Sequence, residues 1–244
     1  MIVIPMAGLS NRFFTAGYDL PKYMLPIGGE TVFAKSVRSF EKYFNTDEFL
    51  FILRDTHQSI PFVQEEITRL GLRHASLHIL SGITGGQAET VHLAIAKRQD
   101  SFPLFIFNID TFRHHYEKPL FIDDCDGYLE VFRGEGEHWS FVEPANKISV
   151  ARTTEKERIS DLCSDGLYYF KDSRQFNEVF LQEKSKNRMS KGEYYIAPLY
   201  NIFIKNGYKI FYQVVQHEHI EFCGTPEEYK YLIMKEDAKS EHGQ

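Results

Sequence analysis

Arg12 and, ten residues later, Lys22 are the first side chains in this sequence whose types and spacing could do chemistry. Ahead of Arg12 run an apolar strand-like segment, Ile2-Val3-Ile4-Pro5-Met6, and a turn, Ala7-Gly8-Leu9-Ser10-Asn11. Gly8 lacks a Cβ and tolerates positive φ, so the backbone can pass close to a ligand there. Successive turn amides form an anion-binding nest, to which Ser10 adds a hydroxyl and Arg12 a planar fork for phosphate oxygens. Lys22, between Pro21 and Pro26, places a compact point charge on the same anion. The pattern suits a triphosphate. It is neither G-x-x-x-x-G-K-[ST] nor G-x-G-x-x-G, which argues against a kinase-like P-loop and against a dinucleotide site.

Two later segments carry compatible chemistry. Thr84-Gly85-Gly86-Gln87 opens a helical pattern, and the Gln87 amide both donates and accepts, as reading the edge of a base requires. The same glycines also fit a plain turn with Thr84 as helix cap. Asn108-Ile109-Asp110 follows the apolar run 104–107, and a carboxylate at the end of a buried strand is costly unless it is paired or used. An Asp capping the next turn is the plainer alternative. The pairs His114-His115 and His217/His219 lack a third ligand at metal-binding spacing. Cys125, Cys163 and Cys223 form no C-x-x-C pair and read as buried thiols.

With these residues in order, Ala7-Gly8-x-Ser10-x-Arg12 followed by Pro21-Lys22 and Leu25-Pro26, the chain resembles the sugar-nucleotidyltransferase family. Such enzymes couple a nucleoside triphosphate to a phosphorylated acceptor and release pyrophosphate. The resemblance implies that Ala7, Gly8, Leu9, Ser10, Asn11 and Arg12 hold the phosphates, with Arg12 and Lys22 as the catalytic cations. It assigns Gly85, Gly86 and Gln87 to the base, with Asn108 beside them, and Asp110 to Mg²⁺. On the acceptor side it implies Glu143 and Lys147 as an acidic and basic pair. Tyr168 belongs to a G-x-Y-x-F strand at Gly166, and Glu193 to an E-[YF]-x-x-[TA] helix. The segment Glu221-Phe222-Cys223-Gly224-Thr225-Pro226-Glu227 resembles the family's terminal G-T-P-E turn, with one departure. Phe222 stands where many members carry a second metal-binding Asp, so Glu221 or another carboxylate substitutes, or one metal suffices. That variant end favours cytidylyltransferases acting on small phosphorylated amines or amides for capsule and surface-glycan decoration, of the phosphoglutamine cytidylyltransferase type. The alternatives are a hexose-1-phosphate uridylyl- or thymidylyltransferase and a non-catalytic nucleotide-binding regulator. A glycosyltransferase of the related nucleotide-sugar fold, whose D-x-D motif Asn108-x-Asp110 imitates, is a weaker rival because it has no need of Arg12 and Lys22.

Composition narrows the partners. A formal charge of −6 with no basic stripe argues against nucleic acid, and no apolar run of about 18 residues suggests a membrane span. The start lacks a signal-peptide pattern, so a cytoplasmic protein is expected, with a homo-oligomer implied by the resemblance.

The elements that must position these residues alternate. Strand patterns at 2–5, 49–53, 77–80 and 104–107 are separated by helical patterns at 32–42, 62–70 and 88–98. This order predicts a single Rossmann-like three-layer α/β domain with a mainly parallel mixed sheet, whose ligands bind beyond the carboxyl ends of the strands. Residues 1–126 form the nucleotide half of a domain spanning 1–234. Residues 127–234 form the acceptor half, with strand patterns at 127–132, 139–142, 148–152, 165–171 and 209–215 and a helix at 173–184. Residues 187–191 read as a mobile loop. The polar tail, 235–244, is expected to be poorly ordered beyond a short helix.

Overall fold

A computed structural model describes residues 1–242 of the 244. The N-terminal half runs β1 (Ile2–Pro5), α1 (Asn11–Thr15), β2 (Pro26–Ile27), β3 (Glu30–Thr31), α2 (Val32–Val37), β4 (Phe49–Arg54) and α3 (Ser59–Leu70). It continues through β5 (Ala75–Leu80), α4 (Gln87–Ile95), β6 (Leu104–Phe107) and β7 (Thr111–Arg113). The second half adds β8 (Gly127–Arg133), β9 (Ser140–Pro144), β10 (Val150–Glu155), β11 (Leu162–Phe170) and α5 (Ser173–Ser185). It ends with α6 (Tyr200–Lys205), β12 (Ile210–Val214), β13 (Ile220–Phe222) and α7 (Pro226–His242).

The early strands read as unbroken apolar runs because both faces of the sheet are covered. In β1, Ile2 and Ile4 enter one core cluster while Val3 enters the other; in β4, Phe49 and Phe51 part from Leu50 and Ile52 in the same way. Helices α2 and α3 pack on the first face through Phe33, Val37 and Val63, and α4 and α5 on the second through Val91, Ile95 and Phe180. The result is the expected three-layer α/β domain. The main sheet is ordered β10-β9-β11-β6-β1-β4-β5, with β8 on β11 and β12 on β8. Strands β5, β4, β1 and β6 are mutually parallel, and the antiparallel pairing is concentrated around β11. The ends of β1 and β6 therefore open on the same edge.

Local chemistry sets several boundaries. Asp172 caps α5 by accepting from the amides of Arg174, at 2.7 Å, and Gln175, at 3.3 Å. The helix expected over 32–42 stays α-helical only through Val37 and continues as a 3₁₀ turn. Phe40 leaves helical geometry (φ −110°, ψ 22°) with its ring edge-on to Phe107 at 5.0 Å and to Tyr116 at 4.9 Å. Tertiary packing outweighs a weak local helix preference there.

The short helix expected at the start of the 235–244 tail is the end of α7, which extends through His242; Gly243 and Gln244 lie outside the described residues. Thr225 and Glu228 form a capping box around Pro226, each accepting from the other's backbone amide. Tyr229 and Leu232 bury against Phe13, Ile27 and Phe112, and the Tyr229 hydroxyl donates to the Pro26 carbonyl at 2.7 Å. Sequence separation hides this docking, because its partners lie from 117 residues (Phe112 to Tyr229) to more than 200 residues away.

Candidate active site

The turn after β1, the segment after β6 and strands of the second half line one cavity of about 790 Å³. The turn after β1 contributes the first of its lining residues. Met6 continues the pairing of β1 by donating to Ile52, but among the described residues none of the six amides from Ala7 to Arg12 donates to a protein acceptor. Six unpaired N–H groups thus line a cavity, where backbone donors ordinarily need a partner. The left-handed residue that bends the turn is Ser10 (φ 51°, ψ 24°), not Gly8. Gly8 instead leaves open space, with nothing within 4 Å of where a Cβ would stand. The Ser10 hydroxyl oxygen accepts from the Lys22 amide at 3.3 Å, which ties the turn to the second cation. Arg12 is exposed on α1, lines the cavity and makes no side-chain bond among the described residues.

Lys22 heads a short 3₁₀ turn, and its ammonium is bonded to the Asp110 carboxylate, with both side chains 22% exposed. The lysine and the strand-end aspartate thus meet across 88 residues. Asn108, two residues earlier, accepts from the Gln87 amide nitrogen at 2.6 Å. Gly166 (φ +95°) lets Asn108 reach this position, since a Cβ on it would lie 2.2 Å from Asn108 Nδ2. Gly85, Gly86 and Gln87 line the cavity, but the reason for Gly86 is internal. Tyr194 donates to the Gly85 carbonyl and accepts from Ala88, so its backbone lies against the turn and leaves no room for a side chain. The cap of α4 is Gly86 itself, not Thr84.

Tyr168 and Glu193 also line the cavity. Three other acceptor-side or metal assignments are corrected. Glu143 and Lys147 lie near and in the β9–β10 turn, outside the cavity, with Glu143 paired to Arg152 at 2.9 Å and Lys147 exposed. Glu221 is also absent from the cavity lining. Its strand, β13, pairs with β7, and successive side chains face opposite ways, so Phe222 lines the cavity and Glu221 does not. Its carboxylate is held by His114 at 3.0 Å and by Lys235 of α7 at 2.5 Å.

These contacts hold the Glu221 carboxyl at about 2, against an ordinary 4.5, chiefly through the His114 bond. A lowered pKa adds stability above pH 4.5 that is lost as pH falls toward 2. Glu221→Gln should therefore cost on the order of 1 kcal/mol at pH 7, since His114 and Lys235 are half exposed. The difference from wild type should vanish near pH 2, as chemical denaturation across this range would measure.

Sequence reasoning passed over several cavity residues. His138, Trp139 and Ser140 precede or begin β9, Glu155 ends β10, Asp165 lies at an irregularity in β11, and Glu228 caps α7. Asp165, directly before the Gly166 strand motif, and Glu228, directly after the Gly224–Glu227 turn, carried a nearby signal. Burial pushes the Cys223 thiol up to about 12, which makes it a poor nucleophile despite its place beside Asp110.

A crystal structure of a nucleoside-diphosphate-sugar pyrophosphorylase from Vibrio cholerae RC9 is 44% identical, superposes with a TM-score of 0.92, and is matched over 96% of this chain and 100% of that one. The chain belongs to the nucleoside-diphosphate-sugar pyrophosphorylase family of nucleotidyltransferases. The same fold recurs in a UDP-glucose pyrophosphorylase complexed with UDP-glucose, at 15% identity and TM-score 0.77 over 98% of both chains. It recurs again in the inositol-1-phosphate CTP transferase from T. maritima, at 13% identity and TM-score 0.72 over 97% of this chain and 95% of that one. No protein-family model and no curated protein matches the chain. Among the described residues no helix is long and apolar enough to cross a membrane. For a nucleotidyltransferase, the telling feature of this cavity is that the residues of the turn after β1, with Arg12 and Lys22, line the same space as strands of the second half.

Proposed function

We propose that this enzyme transfers a nucleotidyl group from CTP to a phosphorylated small-molecule acceptor, releasing pyrophosphate, in the making of a capsule or surface-glycan precursor. The observation that carries the transfer is the meeting of six unpaired amides, Arg12 and the Lys22–Asp110 pair in one cavity. An acceptor phosphate oxygen attacks the α-phosphorus in line, and catalysis comes from positioning and charge neutralisation. The Ala7–Arg12 amides and the Arg12 guanidinium hold the β- and γ-phosphates as pyrophosphate leaves. Lys22 neutralises charge developing at the α-phosphorus. An ionised acceptor needs no general base.

The donor set fits Mg²⁺, which prefers hard oxygen ligands and keeps several waters. Asp110 would hold it; the nearby Glu228 is engaged, since its Oε2 accepts from the amides of Gly224 and Thr225 at 2.8 and 2.9 Å. When bound, the ion supplies Lewis-acid stabilisation of the phosphates. Asp110→Asn should raise the Mg²⁺ concentration for half-maximal pyrophosphate release by about 10–100-fold, read from a Mg²⁺ titration at saturating substrates.

The preference for CTP follows the variant C-terminal turn, where Phe222 stands in place of an Asp. Gln87 is compatible with it but does not select it: one of its two amide hydrogens goes to Asn108, which leaves a donor for a 4-oxo group as well as an acceptor for a 4-amino group. Pyrophosphate release should be measured with CTP, UTP, dTTP, GTP and ATP in turn, against sugar phosphates and phosphorylated amines or amides. Release with CTP is the expected result; release with UTP or dTTP and a hexose 1-phosphate would favour the sugar-nucleotide reading, which the 44% identical relative's description supports.

A further inference from the structure

The turn after β1 is also held from behind. Strand β4 outlasts its neighbour β1: the two pair in parallel with Pro5 opposite Ile52, and two further residues bring Arg54, the last of β4, level with Ala7. Main-chain pairing stops at Met6, whose amide donates to the Ile52 carbonyl at 2.8 Å. At the next step a side chain takes over, with Arg54 Nε donating to the Ala7 carbonyl at 3.1 Å. Arg54 lines a second, smaller cavity of about 20 Å³ and is absent from the lining of the large one, whereas Ala7, Gly8 and Leu9 line both. The turn thus presents a face to each cavity, and Arg54 meets it on the side of the smaller. Among the described residues this half-buried arginine makes no ion pair and no other side-chain hydrogen bond. The loop that follows β4 braces the same side: it bends through left-handed His57 (φ 53°) and Gln58 (φ 56°), and the His57 ring stacks on Phe14 of α1 with centroids 5.2 Å apart.

We propose that Arg54 is a positioning residue for pyrophosphate: by holding the Ala7 carbonyl on one side, it keeps the Gly8 amide turned toward the large cavity, where the β- and γ-phosphates bind. The proposal rests on the nucleotidyl-transfer reading above and adds to it a residue that touches no substrate. The Ala7 carbonyl and the Gly8 N–H belong to one peptide unit. In a trans peptide these two groups point in opposite directions, and the described residues contain no cis peptide bond. Fixing the first therefore fixes the second, and the Gly8 N–H, which has no protein acceptor, is directed away from Arg54. Glycine makes the restraint necessary, since its wide φ/ψ freedom would otherwise let the Ala7–Gly8 peptide rotate and withdraw the donor. With nothing within 4 Å of the Gly8 Cβ position, no neighbouring side chain prevents that rotation. A donor already aimed before the anion arrives binds it more tightly, because its orientation does not have to be fixed on binding.

The bond comes from Nε and not from the terminal guanidinium nitrogens, which makes a specific test available. Arg54→Gln puts a neutral amide N–H at the same place along the side chain, whereas Arg54→Met puts a methyl group there and removes the donor. Calorimetry on the full-length protein should compare wild type and both variants for inorganic pyrophosphate with Mg²⁺, and for CMP and UMP, which lack the β- and γ-phosphates. Arg54→Met should weaken pyrophosphate binding about tenfold while monophosphate binding stays within about threefold. Arg54→Gln should bind pyrophosphate within about threefold of wild type. A loss of pyrophosphate affinity that is the same in both variants would assign Arg54 to charge alone, and unchanged affinity in Arg54→Met would remove it from the site; either result overturns the positioning role. Equal losses of pyrophosphate and monophosphates in Arg54→Met would overturn it too, as a general loss of structure. Each of these outcomes leaves the nucleotidyl-transfer reading standing. A wild-type protein that binds neither pyrophosphate nor any nucleotide would sink that reading and the positioning role with it.

Discussion

Lys22→Ala is expected to lower kcat for pyrophosphate release by about 10²–10³-fold, with the nucleotide KM changing by less than about threefold. The asymmetry follows from the place of the ammonium. It is carried on a 3₁₀ turn tied to the phosphate loop through Ser10 and faces Asp110 at the end of β6, while the six loop amides and Arg12 hold the ground-state phosphates without it. A charge needed mainly as the α-phosphorus becomes five-coordinate is felt in kcat. Stability should change little, because Asp110 remains partly open to water once its partner is gone. Steady-state kinetics at saturating acceptor decide the matter. Equal losses in kcat and nucleotide affinity would assign Lys22 to simple phosphate binding, and unchanged kcat would remove it from the reaction. The same measurement separates an enzyme from a non-catalytic regulator, since a regulator would bind the nucleotide and release no pyrophosphate.

Gly86→Ala is expected to cost about 2–4 kcal/mol, lowering Tm by roughly 5–15 °C. Gly86 adopts φ +141°, which L side chains rarely reach, and its Cβ would stand 2.6 Å from both the nitrogen and the oxygen of Tyr194. Those are backbone atoms and cannot rotate away. Relief would require parting the Gly85–Gly86 turn from the Tyr194 segment, and with it the bonds from Tyr194 to Gly85 and from Ala88 to Tyr194. Because Gln87 follows directly, the residual folded protein should also lose nucleotide affinity. Gly8→Ala provides the contrast: no atom lies within 4 Å of its Cβ position, so stability should hold while the added methyl meets only what enters the cavity. Thermal unfolding of the two variants side by side, with a nucleotide titration of each, tests both statements. A Gly86→Ala protein as stable as wild type would contradict the packing described for this turn.

The sequence by itself determined the parallel, N-terminal half of this protein. Strands buried on both faces must be apolar at every position, so 2–5, 49–53 and 104–107 stood out. Residues beyond their carboxyl ends had to share one edge of a parallel sheet. That the turn after β1, Lys22, Gln87, Asn108 and Asp110 line one cavity was legible because each belongs to such a loop or follows directly from one. The acceptor half was not legible in this way. Whether Glu221 or Phe222 faces the cavity depends on the phase of β13 against β7, and a slip of one residue in that pairing would exchange them. Glu143 and Lys147 belong to a turn whose distance from the site is fixed by the length of β9 and β10. Trp139, Glu155, Asp165 and Glu228 come from separate elements joined only when β9 pairs with β10, β11 inserts beside β6, and α7 returns to β2. Local sequence sets which residues form a strand or a helix; long-range pairing decides which side chains meet, because that choice lies in the register between segments and in neither segment alone.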